Sequence, residues 1–148
     1  MQARDIMTET VVTAKPEQTV EEVAKIFIEE KISGIPVVDK DNKVIGIISE
    51  GDLVFQQKKV TPPVIIRLFD GILELGQQKF YQEMKKIAAY KVEDLMTGEV
   101  IAVEQDTDIN DVATLMVNHN INRVPVLAED KKLLGIITRH DIIKNIYK

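Results

Sequence analysis

A block of about fifty residues occurs twice in this chain, and the repetition restricts the possible folds more than any other feature. Asp5-Ile6-Met7-Thr8 returns as Asp94-Leu95-Met96-Thr97, so that Thr8 and Thr97 lie 89 positions apart. The same offset then holds without a gap through three further matches: Val23-Ala24 with Val112-Ala113, Pro36-Val37 with Pro125-Val126, and Gly46-Ile47-Ile48 with Gly135-Ile136-Ile137. An ungapped register of this length indicates an internal duplication.

Each repeat is predicted to fold as strand, helix, strand, strand, helix. In the first, Val11-Val12 is a short strand, and Pro16 to Thr19 forms the turn and cap before an amphipathic helix. Apolar residues at helical spacing define its buried face: Val20, Val23, Ala24, Phe27 and Ile28, matched by Ile109, Val112, Ala113, Met116 and Val117. Met116 is therefore a core residue and not a ligand. A hairpin of buried strands follows, and the last helix starts at Ser49.

We divide the chain into a first repeat at 1–58, a connector at 59–91 and a second repeat at 92–148. A unit of roughly fifty residues buries too little surface to be stable alone, so the two repeats should pack together about a pseudo-twofold axis. The predicted fold class is α+β, with two β-α-β-β-α repeats and a helical connector.

The connector is interrupted by Pro62-Pro63 and is then predicted to be helical. Two apolar faces support this prediction: Ile65, Leu68, Phe69, Ile72 and Leu73, then Phe80, Met84, Ile87 and Ala88. The favoured interpretation is a linker that packs on the repeats. The alternative is a dimer or effector contact, because an apolar face that is not covered within the chain must be buried elsewhere.

Composition excludes several classes of partner. With 148 residues, 45% of them hydrophobic, the chain can bury a substantial core, but 24 acidic against 19 basic residues leave no basic surface for nucleic acid. The absence of cysteine excludes disulfides and thiolate metal sites and fits a reducing compartment. No apolar run approaches membrane length, so we expect a cytoplasmic protein without a membrane partner.

The end of each repeat carries a pattern suited to nucleotides. An apolar strand leads to a capping residue, Ser49 or Thr138, and an aspartate follows three positions later, Asp52 or Asp141. The N-terminus of a helix accepts phosphate, and a carboxylate can accept hydrogen bonds from two sugar hydroxyls. The alternative is that these residues only cap their helices.

Signatures of catalysis are absent. The sequence has no cysteine nucleophile, no G-x-S-x-G, no metal motif and no dinucleotide-binding glycine pattern, although paired carboxylates in so acidic a chain stay open. Gly46 to Gly51 has the spacing of a phosphate loop, but Asp52 stands where that loop requires lysine. The two histidines, His119 and His140, do not form a metal pattern. We therefore predict neither an enzyme nor a catalytic cofactor.

The duplicated elements D-[IL]-M-T, [SN]-[GR]-[IV]-P-V and G-I-I-[ST]-x-x-D resemble a tandem pair of cystathionine-beta-synthase (CBS) domains, the Bateman module. The resemblance covers nearly the whole chain. It implies two αβ repeats joined about a pseudo-twofold axis, disc-like homodimers, and adenosine-containing ligands in clefts between the repeats.

In the adenylate-sensing gamma subunit of the AMP-activated protein kinase, a member of this family, each cleft combines the [ST]-x-x-D of one repeat with the first strands of the other. By position, the resemblance implies a cleft B formed by Met7, Thr8, Val12, Ile32, Ser33, Ile35, Pro36, Thr138, Arg139, His140 and Asp141. It implies a cleft A formed by Ser49, Asp52, Met96, Thr97, Ile101, Ile121, Asn122, Val124 and Pro125.

Chemistry favours cleft B for a nucleotide. Asp141 is assigned to the ribose hydroxyls, and apolar Val12, Ile32 and Pro36 to adenine. The phosphates are assigned to the helix N-terminus, His140 and Arg139, whose guanidinium donates paired hydrogen bonds. Cleft A has Glu50 and Gly51 where cleft B has Arg139 and His140, and an acid repels phosphate. Cleft A is therefore either empty or suited to a neutral adenosine ligand. Arg123 either reaches a phosphate or lies in solvent beside its strand.

Two functions remain. The preferred one is a non-catalytic regulatory module that binds AMP, ADP or ATP and signals to an unidentified protein target by a change of conformation or dimer geometry. The alternatives are a scaffold with empty clefts, or a sensor of S-adenosylmethionine or NAD.

Overall fold

The computed structural model describes all residues, Met1–Lys148, as two similar halves and a connector. The first half contains α1 (Ala3–Ile6), α2 (Val20–Glu30), β1 (Gly34–Val38), β2 (Val44–Ser49) and α3 (Glu50–Phe55). The connector contains β3 (Val64–Leu68), β4 (Gly71–Leu75) and α4 (Gln77–Ile87). The second half contains α5 (Val92–Leu95), β5 (Val103–Glu104), α6 (Ile109–Asn118), β6 (Arg123–Leu127), β7 (Leu133–Thr138) and α7 (Arg139–Ile146). The predicted α+β class with two repeats is confirmed. None of the helices combines the length and apolar character needed to cross a bilayer.

The duplication is visible in the backbone as well as in the sequence. Helix α2 ends at Lys31, which adopts the left-handed conformation with φ of 54°, and the matching Asn120 after α6 has φ of 50°. The tips of the two hairpins repeat this agreement, with φ of 62° at Asn42 and 68° at Lys131. Few non-glycine residues adopt positive φ, so these coincidences indicate the same chain path in both halves.

Each half contains a small antiparallel hairpin, β1 with β2 and β6 with β7, and β5 adds in parallel to β6. The strand predicted at Val11-Val12 does not form, and both residues line a cleft between the halves. Pairing with β1 begins only at Ala14, whose N–H donates to the carbonyl oxygen of Pro36 at 3.0 Å. The sequence prediction placed this pairing too early in the chain.

The halves exchange their short leading helices. Ala3 and Ile6 of α1 lie in the core of the second repeat, whereas Val92 and Leu95 of α5 lie in the core of the first. Backbone hydrogen bonds fix both helices, since the N–H of Ala3 donates to the carbonyl of Thr107 at 2.8 Å and the N–H of Val92 to that of Gln18 at 2.9 Å. Each repeat therefore completes the core of the other.

Most residues of the predicted helix faces are at least partly buried. Val23, Phe27, Val112 and Met116 are buried in the two cores, which confirms Met116 as a core residue. The prediction was wrong at the last position of each face, where Ile28 and Val117 are 77% and 76% exposed. These two residues lie in the last turn of α2 and α6, at the edge of the apolar stripe.

The first half of the connector differs from its prediction. Residues Val64 to Leu75 form an antiparallel hairpin and not a helix, whereas the second predicted helix is present as α4. Leu68 pairs with Gly71 across a two-residue turn. Both strands of this hairpin are exposed along their whole length, so it does not pack on the repeats as the linker interpretation requires.

The segment that follows α1 packs tightly against Gly135, and adding a methyl group at Gly135 tests how much this contact contributes to stability. A Cβ at Gly135 would lie 2.7 Å from Sδ of Met7 and 3.0 Å from the carbonyl oxygen of Thr8. We expect Gly135→Ala to lower the free energy of unfolding by about 1–3 kcal/mol, because this side chain and backbone must move. Urea denaturation measures the change. Gly98→Ala is the control, since nothing lies within 4 Å of its Cβ, and equal losses in the two variants would contradict the assignment.

Candidate functional site

Two clefts lie between the repeats, with cavity volumes of about 340 Å³ for cleft A and about 610 Å³ for cleft B. Both volumes lie within the range of small-molecule sites. Cleft A is lined by Ser33, Ile47, Ser49, Glu50, Gly51, Asp52, Thr97, Glu99, Val100, Ile101, Asn120, Ile121, Asn122 and Arg123. Cleft B is lined by Thr8, Thr10, Val11, Val12, Phe27, Lys31, Ile32, Ser33, Gly34, Ile35, Glu50, Arg123, Ile136, Thr138, His140 and Asp141.

The structure brings most of the residues predicted for cleft B together. Eight of them line it: Thr8, Val12, Ile32, Ser33, Ile35, Thr138, His140 and Asp141. Met7 and Pro36 do not, because the thioether of Met7 lies against Gly135 and Pro36 is fully buried in β1.

Arg139 is also absent from the lining of cleft B. Its Nε donates to the carbonyl oxygen of Ile121 at 3.2 Å, and its backbone N–H donates to the carbonyl of Asn122 at 3.1 Å. Both acceptors belong to the segment that leads into β6 of the same repeat and lines cleft A. The side chain is therefore held away from the place where the phosphates were expected.

Cleft A shows the same pattern. Six predicted residues line it: Ser49, Asp52, Thr97, Ile101, Ile121 and Asn122. Val124 and Pro125 are fully buried in β6, and the side chain of Met96 lies against Gly46. In both clefts, the proline and the methionine of the motif support the wall from behind instead of facing the cavity.

The two aspartates at the helix starts are held in matching geometry. Oδ2 of Asp141 accepts hydrogen bonds from N and Oγ1 of Thr138, both at 2.7 Å, and Oδ2 of Asp52 accepts from N and Oγ of Ser49 at 2.8 and 3.2 Å. Both aspartates therefore cap their helices. In each carboxylate Oδ1 makes no hydrogen bond within the chain, so capping leaves one oxygen for a ligand.

Sequence reasoning underestimated Arg123, which is only 9% exposed although it is charged. Its Nη2 donates to Oγ of Ser33, and its guanidinium lies so close to Gly34 that a Cβ there would collide with it. Gly34 and Arg123 occupy the same position in their repeats. The small residue of one repeat thus makes room for the large residue of the other, and this complementarity is the signal that the sequence offered.

The wall that separates the two clefts contains charged residues. Three residues line both cavities: Ser33, Glu50 and Arg123. Burial lowers the pKa of Arg123 below its ordinary value, and the nearby carboxylates of Glu50 and Asp52 oppose this shift. Because a guanidinium is a very strong base, the group stays protonated at neutral pH.

The two clefts differ in the balance of charge. The lining of cleft A contains Glu50, Asp52 and Glu99 but only one base, Arg123. The lining of cleft B contains Glu50 and Asp141 together with Lys31, Arg123 and His140. An anion is therefore better accommodated in cleft B, and a neutral or cationic group in cleft A.

Comparison with known proteins agrees with this architecture. The model of the CBS domain family matches residues 3–58 and 92–148. Protein MJ1426 of Methanocaldococcus jannaschii is 37% identical over 97% of this chain and 90% of its own length. CBSX1, a chloroplast CBS domain-containing protein of Arabidopsis thaliana, is 30% identical over 88% of this chain and 56% of its own length.

Solved structures show the same fold with adenosine compounds bound. CBSX2 of Arabidopsis thaliana in complex with AMP aligns with a TM-score of 0.83 and 25% identity over 99% of this chain and 96% of that one. The CBS domain pair of protein MJ0100, in complex with 5'-methylthioadenosine and S-adenosyl-L-methionine, aligns with a TM-score of 0.75 and 26% identity over 99% and 96%. This chain therefore belongs to the CBS domain family, as a tandem pair of CBS domains.

Proposed function

We propose that this chain is a non-catalytic ligand sensor that binds an adenine nucleotide, AMP, ADP or ATP, in cleft B. The observation that carries the proposal is Asp141. It lines the larger cavity at the first turn of α7 with Oδ1 unpaired. That arrangement suits the two hydroxyls of a ribose. The AMP complex of CBSX2 supports this choice of ligand.

The other groups of cleft B fit the remaining parts of a nucleotide. Val12 and Ile32 offer an apolar wall for adenine. Lys31 and His140 lie in the same lining, where Lys31 supplies positive charge and the His140 ring a hydrogen-bond donor for phosphates. The sequence analysis gave this role to Arg139 with the helix N-terminus and His140; in the proposal Lys31 replaces Arg139, because Arg139 is bonded to Ile121 outside the cleft.

Cleft A favours a second kind of ligand. Three carboxylates and a single guanidinium line it, and Asp52 repeats the geometry of Asp141. A neutral thioether adenosine or a cationic sulfonium would meet no repulsion there. The MJ0100 domain pair, with 5'-methylthioadenosine and S-adenosyl-L-methionine bound, supports this assignment of ligand class.

Signalling in the proposal is a shift between arrangements of a cytoplasmic homodimer, which requires that the ligand bind them with different affinity. The connector hairpin, whose two strands are exposed along their whole length and carry Ile65 and Ile72, offers an apolar surface for a second copy. The scaffold alternative needs walls but no cavities. The two open clefts, each lined by an aspartate, favour the sensor.

A ligand panel tests the proposal. We expect AMP, ADP or ATP to bind in isothermal titration calorimetry and to raise the melting temperature. A ligand at a hundred times its Kd adds about 2.7 kcal/mol to the stability of the folded state. Adenosine, NAD and S-adenosylmethionine complete the panel. If no nucleotide gives binding heat or a thermal shift, the sensor proposal is wrong and the scaffold is favoured.

A further inference from the structure

Arg123 occupies a position that belongs to neither cleft alone. It lines both cavities, it is nearly buried, and it is the only basic residue in the lining of cleft A. The matching position in the first repeat is Gly34, so the pair of repeats holds one such guanidinium and not two. This asymmetry breaks the equivalence of the two clefts at their shared wall.

The charge of Arg123 has few partners within the chain. Its one side-chain hydrogen bond goes to the hydroxyl of Ser33, a neutral acceptor, and no salt bridge forms with Glu50 or Asp52. A phosphate is a stronger acceptor for a guanidinium than a hydroxyl is. An anionic ligand in either cleft can therefore compete for this group.

We propose that Arg123 is an anion-binding group shared by the two clefts, so that the domain pair holds one phosphate-bearing adenosine ligand at a time. The inference rests on the proposed function and adds a stoichiometry to it. When a phosphate in cleft B engages Arg123, cleft A is left with the carboxylates of Glu50, Asp52 and Glu99 and no base. A second phosphate is then repelled, whereas an uncharged nucleoside is not.

Stoichiometry in calorimetry gives the first readout. The wild-type chain should bind two molecules of adenosine but only one of AMP. Asp141→Ala disables cleft B and Asp52→Ala disables cleft A, and each variant should bind one AMP and one adenosine. Asp141→Ala should bind its AMP the more weakly, because the remaining cleft A is lined by three carboxylates. Two AMP molecules bound to the wild type with equal affinity would overturn the inference. If the wild type binds neither adenosine nor AMP, the proposed function fails first and this inference falls with it.

Sharing itself is tested by combining Arg123→Gln with each single-cleft variant. A shared group lowers the affinity for AMP at least tenfold in both backgrounds and changes that for adenosine less than threefold. Lys31→Gln is the matched control, because Lys31 lines cleft B alone. It should weaken AMP only where cleft B is intact. A loss for Arg123→Gln in one background only would assign the residue to that cleft and refute sharing.

Folding of the variants is checked by their melting temperatures. Arg123→Lys keeps the positive charge and the aliphatic stem, so it provides a second test if Arg123→Gln does not fold. We expect Arg123→Lys to retain the limit of one AMP per chain. If this variant bound two AMP molecules with equal affinity, the inference would be wrong.

Discussion

Replacing Asp141 by alanine is expected to weaken AMP binding ten- to a hundredfold. Asp141 lines cleft B and has one carboxylate oxygen without a partner, and charge-assisted hydrogen bonds of the kind that it would form with ribose contribute about 1.5 to 3 kcal/mol. Isothermal titration calorimetry measures the change directly. The result would identify the part of the nucleotide that the helix terminus holds.

The matched control is Asp52→Ala. Both aspartates cap their helices in the same way, so both variants should lose a similar, small amount of stability, about 0.3–1 kcal/mol. Only Asp141→Ala should lose most of its affinity for AMP. If the two variants bound AMP equally well, or if Asp141→Ala bound it as the wild type does, the ribose assignment would be incorrect.

Leu95→Ala should cause the largest loss of stability, about 2–5 kcal/mol. Leu95 is 2% exposed and belongs to the core of the first repeat, although it stands in the sequence at the start of the second. Removing a buried leucine side chain leaves a cavity that the surroundings refill only in part. Chemical denaturation followed by circular dichroism gives the free energy of unfolding.

Ile28→Ala is the control for this experiment. The sequence pattern places Ile28 on a buried helix face, but it is 77% exposed, so its truncation should change the stability by no more than about 0.5 kcal/mol. A small effect for Leu95→Ala would show that α5 contributes little to the first core. A large effect for Ile28→Ala would show that its side chain is covered, as in a dimer.

The helices of the repeats could be predicted from the sequence because their spacing and capping residues are local signals. The spacing of Val20, Val23 and Phe27 follows one face of a helix, and the duplication repeats it in α6. Thr19, predicted as the cap of this helix, exchanges hydrogen bonds with Glu22 at the start of α2. These features depend on residues close together in the chain.

The connector shows where such reasoning fails. Ile65, Leu68, Phe69 and Ile72 have helical spacing, but Val64, Ile66 and Leu68 also alternate, and Asp70-Gly71 is a turn signal. Both periodicities were present, and the structure has the hairpin. Short apolar runs do not distinguish helix from strand by themselves.

Some site residues could likewise be predicted from a local motif, and others could not. The aspartates were identified from a local motif, but the burial of Arg123 depends on Gly34, which lies in the other repeat. Arg139 was assigned by its position in the motif, yet its direction is set by the carbonyl of Ile121, eighteen residues earlier. The first contact joins the two repeats and the second joins residues eighteen positions apart within one repeat, so neither is contained in a single local motif.

The exchange of α1 and α5 limits the movements that are open to this protein. Opening the seam like a hinge would pull Ala3 and Ile6 out of one core and Val92 and Leu95 out of the other, and would expose all four to water. Ligand-driven motion should therefore leave the interlocked halves together. In the proposed sensor, a partner would then detect the bound state through displacement of the exposed connector hairpin, and not through separation of the two repeats.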